Sequence, residues 1–233
     1  MMLAEVGEVG QAKLKRARVV VSGVGGLGSV AALYLTAAGV GSIRIIDHDK
    51  VSLSDLNRQV LYTEGDVGQS KVDAAKERLQ ALNPEVDIQA VSDEITSDSV
   101  TKLVADCELI VDGMDSLPAR HVLNHASVHL GMPLIHGAIY GFEGRAMTVI
   151  PGKTPCLRCL YRDMVPADEI PVLGTTPAII GCIQATEAVK YIIGAGDLLL
   201  SRLVIYDGLS LSFREVVVER NPDCEECRHL YSG

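Results

Sequence analysis

Three consecutive β-branched residues, Val19-Val20-Val21, run into Ser22-Gly23-Val24-Gly25-Gly26-Leu27-Gly28-Ser29, and an apolar, Ala-rich segment follows over 30–38. The unbroken run predicts a buried strand and the longer apolar segment a helix. The strand spans 17–22 and the helix 27–38, with Gly39 and Gly41 punctuating its end. A second apolar run predicts a strand over 42–46 that closes on Asp47-His48-Asp49. Strand, turn, helix and strand have the length and turn chemistry of a mononucleotide-binding βαβ unit. Ahead of it, 5–16 reads as a short helical or irregular lead-in.

The alternation continues. Residues 52–63 are polar and mixed, as in a loop or short irregular helix, and 71–82 place Val72, Ala75, Leu79 and Leu82 at helical spacing before Asn83-Pro84 stops them. Strands are predicted over 86–91, 109–112 and 134–135, and helices over 97–105 and over 118–130, where Pro118 suits a first turn. The pattern then changes. Strands over 146–150, 203–206 and 210–219 surround a loop at 160–176 and an apolar helix over 178–193. In the last of these strands Leu211, Phe213, Glu215, Val217 and Glu219 alternate with their neighbours. The expected fold is α/β: a Rossmann-like, mostly parallel sheet flanked by helices and extended by antiparallel strands. With 233 residues, no internal repeat and no low-complexity linker, the chain reads as a single domain whose halves divide near 136/137.

Composition narrows the function. Apolar residues make up 48% of the chain, enough for a sizeable core, and no apolar run reaches the length of a bilayer span. Residues 1–16 are mixed and charged, without the basic start and apolar stretch of a secretion signal, so a cytoplasmic location and no membrane partner are expected. A net charge of −9 argues against nucleic acid as a main partner, and 4% aromatic residues with no Trp leave no stacking platform for single strands. Four of the six cysteines form two C-x-x-C pairs, Cys156/Cys159 and Cys224/Cys227. In a reducing compartment such pairs hold zinc or do redox chemistry.

The glycine stretch between strand and helix reads as a phosphate cradle. Asp47, 19 positions after Gly28, suits a carboxylate that accepts hydrogen bonds from ribose hydroxyls. These features fit an NAD-type enzyme as well as a mononucleotide enzyme. Past the second strand comes Ser54-Asp55-Leu56-Asn57-Arg58-Gln59, Lys71 opens the next helix, and Asp112 and Asp115 flank a turn at another strand's end. Two cations and a carboxylate converging on one crevice suit a triphosphate with magnesium, and an NAD site does not need them. Singly, each has a plainer reading: Arg58 and Lys71 as solvated charges, Asp115 as a helix N-cap.

Taken in order, G-V-G-G-L-G, D-H-D, S-D-L-N-R-Q, G-Q-S-K, D-G-M-D-S with Arg120 and Asn124, P-C-L-R-C-L, G-C-I-Q-A-T-E-A-V-K and N-P-D-C-E-E-C cover 6–227. This ordered set resembles the ThiF/MoeB/HesA family of ubiquitin-activating-enzyme-like adenylyltransferases, the MoeB-like members in particular. The resemblance implies ATP and Mg²⁺, a homodimer, and a small ubiquitin-like sulfur-carrier protein ending in Gly-Gly as co-substrate. The carrier's terminal carboxylate attacks the α-phosphorus, giving an acyl-adenylate and pyrophosphate. No general base is needed, because a carboxylate is already ionised at neutral pH. Nucleotide-binding positions implied are Gly23, Gly25, Gly26, Gly28, Asp47, Asp49, Ser54, Asp55, Asn57, Arg58, Lys71, Asp115 and Ser116. Of these, Arg58 and Lys71 hold the β/γ-phosphates and Asp115 holds Mg²⁺. The half after 136 is then the partner-binding and zinc half, in which the resemblance implies that Cys156, Cys159, Cys224 and Cys227 meet around Zn²⁺ although 64 residues separate the pairs.

The chain departs from the family pattern at Asp55, where Asn is usual and a second carboxylate would weaken ATP binding or add a metal contact, and at Ser116, where Asn is commoner. An arginine-containing N-terminal segment of the family has no match in Arg16 or Arg18. A thioredoxin-like reading of the C-x-x-C pairs is disfavoured because neither is expected to open a helix after a strand. Residues 160–181 contain no cysteine, Cys182 reads as a small buried residue and Cys107 as inert, so the chemistry is expected to stop at the acyl-adenylate. His136 reads as packed rather than catalytic. Arg120 and Asn124 read as reaching the nucleotide edge or as a surface pair, Glu187 and Lys190 as support on a helix surface, and the apolar helix as a subunit interface. Dehydration of a modified tRNA base, NAD-dependent oxidoreduction and a non-catalytic scaffold are the competing functions.

Overall fold

The computed structural model describes residues 3–162 and 171–231. Helix α1 (Gly7–Arg16) leads into β1 (Arg18–Ser22), α2 (Gly26–Ala38), β2 (Ser42–Ile46), α3 (Lys71–Leu82), β3 (Asp87–Val91), α4 (Val100–Val104), β4 (Leu109–Asp112) and α5 (Leu117–Leu130). The second half contains β5 (Leu134–Tyr140), β6 (Glu143–Val149), α6 (Leu157–Leu160), α7 (Thr175–Ile193), β7 (Arg202–Asp207) and β8 (Ser212–Val217). All eight strands lie in one sheet of order β3-β2-β1-β4-β5-β6-β7-β8. Neighbours from β3 to β5 pair parallel, and those from β5 to β8 antiparallel.

The β-branched run works as the pattern predicts. Val19 and Val21 face a core with Leu35, Ile43, Ile45 and Leu79, while Val20 faces the opposite one with Ile46, Ile110, Leu123 and Leu134. Helices α1, α2, α3 and α7 cover the first face, and α4 and α5 the second. Burial on both faces is why this strand shows no polar alternation. Each such valine contributes about 1.5–3 kcal/mol by leaving water.

The largest differences from expectation lie in the hairpin of β5 and β6, each longer than its apolar pattern. Gly137 and Gly144 interrupt that pattern because α7 crosses the sheet there. A Cβ on Gly144 would stand 2.3 Å from Ile180 Cγ1, and one on Gly137 would stand 2.5 Å from Gln184 Cδ. Strand β8 alternates in sequence yet is exposed at every position, because it is the outermost strand and pairs only with β7. Of the loop expected over 160–176, residues 163–170 lie outside the described residues. Among the described residues no helix is long and apolar enough to cross a membrane.

Candidate functional site

Strand order reverses between β1 and β4, and in open α/β sheets the crevice at such a point receives the ligand. The crevice is closed at its base by backbone: Gly113 N donates to Ser22 O at 2.8 Å. Side chains are excluded there. A Cβ on Gly23, whose φ is +80°, would stand 2.8 Å from Gly113 O, and one on Gly28 would stand 1.8 Å from Gly23 O. Gly25 caps α2 and Gly26 opens it, so the free N–H groups of that first turn face the crevice. Gly26 is pressed between Pro177 of α7 and Arg58, at 3.1 and 3.6 Å from a Cβ placed on it.

Asp47 braces this turn. Its Oδ2 accepts from Val24 N and its Oδ1 from Asp49 N, both at 2.9 Å. Tyr62 donates its hydroxyl to Val24 O at 2.8 Å, and burial, with Asp47 and Asp55 next, pushes its phenol far up, so it stays a donor.

The cations of the S-D-L-N-R-Q and G-Q-S-K stretches meet beside the glycine turn. Lys71 opens α3 and is only 6% exposed, and its Nζ lies 2.9 Å from Asp49 Oδ2 and 3.9 Å from Asp55 Oδ2. A buried ammonium needs such partners, since desolvating it alone costs several kcal/mol. Arg58 donates to Ser54 O at 2.9 Å and to Asn57 Oδ1 at 3.0 Å. Asp55 is turned into its own loop. Its Oδ2 accepts from Ser52 N and Oγ at 2.9 and 2.8 Å, and its Oδ1 from Gln59 Nε2 at 2.9 Å and Arg58 Nη2 at 3.4 Å. The extra carboxylate thus fixes the loop that carries Arg58, and its lone pairs are engaged inside that loop.

Asp115 stands on the other side of the crevice, in the turn after β4, exposed and without a hydrogen bond or ion pair among the described residues. The N-cap role belongs to its neighbour: Ser116 Oγ accepts from Ala119 N at 3.4 Å to start α5. That leaves the Asp115 carboxylate open to a ligand.

Behind this turn lies a buried polar chain that pattern reading missed. His136 is fully buried, with Nδ1 2.7 Å from Asp112 Oδ2 and Nε2 2.6 Å from Tyr161 Oη. Desolvation lowers its pKa, against the opposing pull of Asp112, so the ring is held neutral. Arg120 and Asn124 are buried rather than a surface pair. Arg120 donates to Met114 O at 2.6 Å and Gly137 O at 3.2 Å, which fixes the backbone next to Asp115, and Asn124 Oδ1 accepts from Leu157 N at 2.7 Å. Gln184 Nε2 donates to Asp112 O at 2.7 Å. A glutamine inside an apolar helix was the available signal. Glu187 is likewise buried, not surface support. It accepts from Thr148 Oγ1 at 2.6 Å, from Leu199 N at 2.7 Å and from Lys190 Nζ.

The two cysteine pairs come together. Cys156 and Cys224 sulfurs lie 3.7 Å apart, as do those of Cys159 and Cys227, and all four fall within 4.8 Å of one another with no disulfide. As expected, neither pair opens a helix after a strand: Cys156 caps the four-residue α6, but a turn precedes it. A hydrogen bond from Cys156, supported by Asn221 N at 3.5 Å, holds the Cys159 thiol well below the ordinary thiol range, and the same contact pushes Cys156 up. Cys182 is half-buried, and burial raises its thiol, as it does that of Cys107, which leaves both poor nucleophiles at neutral pH.

Strand order, the glycine turn at the reversal point and cations waiting at the strand ends define a doubly wound, nucleotide-binding α/β protein. Within that class the chain belongs to the ThiF family, whose profile matches residues 1–226. It is 43% identical over 238 residues to the sulfur carrier protein adenylyltransferase of Thermus thermophilus, covering 97% of this chain and 88% of the relative. It is 41% identical over 233 residues to the SAMP-activating enzyme E1 of Haloferax volcanii, covering 97% and 86%. A crystal structure of E. coli MccB with ATP superposes with a TM-score of 0.83 at 25% identity, over 94% of this chain and 69% of the other.

Proposed function

We propose that this protein is an adenylyltransferase that uses ATP to activate the C-terminal carboxylate of a ubiquitin-like sulfur-carrier protein ending in Gly-Gly. One observation supports the reading above the others: buried Lys71 and loop-braced Arg58 converge beside the glycine turn. In this reading the first turn of α2 and Gly26 take up phosphate, Asp47 and Asp49 face the ribose side, and Ser54 and Asn57 shape the loop around the nucleotide. Arg58 and Lys71 neutralise the β- and γ-phosphates, so that one anion can approach another and pyrophosphate can leave. Asp115 and Ser116 lie at the reacting end. Asp115 would hold Mg²⁺, which would add charge neutralisation there. Nothing in this step demands a proton acceptor, which fits a site whose buried histidine is neutral and distant from solvent.

The four cysteines suit zinc. Tetrahedral thiolates at about 2.3 Å from the ion stand about 3.8 Å apart, and the paired sulfurs are 3.7 Å apart. The site is closed by four protein ligands, so the ion stabilises the fold and does no chemistry. Thiolate ligands call for the reducing conditions of the cytoplasm. A homodimer is supported by Tyr34 of α2, which is exposed and reaches Cys182 of α7, whose neighbours Ile179 and Ile183 are only partly buried.

ATP–pyrophosphate exchange tests the reading. Exchange is expected only with Mg²⁺ and a Gly-Gly-tailed carrier together, and it should fall by roughly 100-fold or more in Lys71→Ala and Arg58→Ala. Exchange that is absent with every such carrier tried, or unaffected by both substitutions, would overturn it.

A further inference from the structure

Next to the four cysteines, a second set of metal-ligand side chains meets on the outer face of α5. His125 and His129 are one turn apart on that helix, the spacing by which two histidines on one helix face bind zinc. Glu226 arrives from the C-terminal C-x-x-C. Its Oε1 lies 2.9 Å from His125 Nδ1 and 3.7 Å from His129 Nδ1, and ligand atoms of the three residues fall within 4.8 Å of one another. Nitrogen and oxygen ligands at about 2.0–2.1 Å in a tetrahedral array stand about 3.3–3.4 Å apart. The His125–Glu226 pair stands within about half an ångström of that value, and His129, whose Nδ1 donates to His125 O at 3.1 Å, is left to ligate through Nε2.

The surroundings suit an exchangeable ion. Both imidazoles are about half exposed, while Glu226 is 14% exposed and so aimed at them rather than at open solvent. His125 and Glu226 also line a surface cavity of about 490 Å³, which leaves room for water on an incomplete coordination shell. The His229 ring, 5.9 Å from that of His129, is near enough to swing in as a fourth ligand. Arg158 lines the same cavity and sets a positive charge against a bound cation.

We infer that His125, His129 and Glu226 bind a divalent transition-metal ion of the zinc class at a site separate from the four cysteines. Imidazole and carboxylate suit Zn²⁺, Ni²⁺ and Cu²⁺, without the soft-metal preference of the thiolate set. Occupancy ties α5 to the loop that carries Cys224 and Cys227, so the second ion braces the first one's site. The inference is independent of the adenylation reading.

Metal counting on the full chain tests it. Protein is equilibrated at micromolar free Zn²⁺ and its zinc counted by elemental analysis, and a Co²⁺-loaded sample reports the cysteines through thiolate-to-cobalt charge transfer. A second equivalent of zinc is expected, and it should vanish in the His125→Ala/His129→Ala double variant while the charge-transfer band remains. Glu226→Gln should weaken the second ion by at least about tenfold. No second equivalent in the parent protein, or a second equivalent that survives in the double variant, would overturn the site. Should the double variant lose the charge-transfer band as well, Glu226→Gln decides: unchanged affinity for the second ion overturns it, and the tenfold loss supports it.

Discussion

His136 Nδ1 lies 2.7 Å from Asp112 Oδ2, and neither side chain has any exposed surface. The other ring nitrogen meets Tyr161 just past the cysteine helix, while Asp112 Oδ1 accepts from Met114 N at 3.0 Å in the turn that carries Asp115. One hydrogen-bonded chain thus joins the cysteine cluster to the lip of the nucleotide crevice. Tyr161→Phe leaves His136 Nε2 buried without a partner, and it should cost about 1–3 kcal/mol of stability. Urea unfolding measures this, and a cost near zero would show that the chain carries no load.

The same histidine sets a pH dependence. Burial lowers its pKa in the folded protein, so the unfolded chain takes up the proton first as pH falls. Stability from this group is complete above the ordinary histidine value of about 6.5, and it is lost as pH drops below that toward the lower folded value. Unfolding free energy measured between about pH 5 and 8 should fall on the acid side, and more steeply in the parent protein than in His136→Gln. Equal slopes would contradict the assignment.

Asp55 is expected to act through the loop it ties. Asp55→Ala removes the acceptor for Ser52, Gln59 and Arg58. It should cost about 1–3 kcal/mol and raise the KM for ATP. Asp55→Asn keeps an acceptor toward Ser52 and should do less on both counts. Thermal unfolding and ATP kinetics on the two variants separate this bracing role from simple repulsion of phosphate, under which both substitutions would tighten ATP.

Removing the ion assigned to the four cysteines should destabilise the second half of the chain. A loss of about 3 kcal/mol moves Tm by roughly 6–12 °C in a protein of this size. A strong chelator and Cys224→Ser should produce shifts of the same sign, read by calorimetry. An unchanged Tm after complete chelation would remove the structural role given to the metal.

The parallel half was legible in sequence because its signals are local. Val19 to Val21 needed only burial on both faces, and the bounds of β2, α3 and β4 follow the pattern residue for residue. The hairpin after Leu134 was not legible, since Gly137 and Gly144 break the apolar run for the sake of α7, which arrives from far along the chain. The same distance hid the roles of Arg120, Gln184 and Glu187, whose partners are backbone or side-chain atoms brought close only by folding. At the site, the glycine turn and its cations could be read from spacing. The engagement of Asp55 within its own loop could not, because a carboxylate near phosphate-binding cations looks the same in sequence whether it faces in or out.

The most direct measurement is the intact mass of a Gly-Gly-tailed sulfur carrier after incubation with this protein, ATP and Mg²⁺. The expected result is a carrier heavier by one AMP group, formed together with pyrophosphate, and absent when the two glycines are deleted or when Lys71 is replaced by Ala. A carrier of unchanged mass, from a protein that binds both ATP and the carrier under the same conditions, would contradict the account.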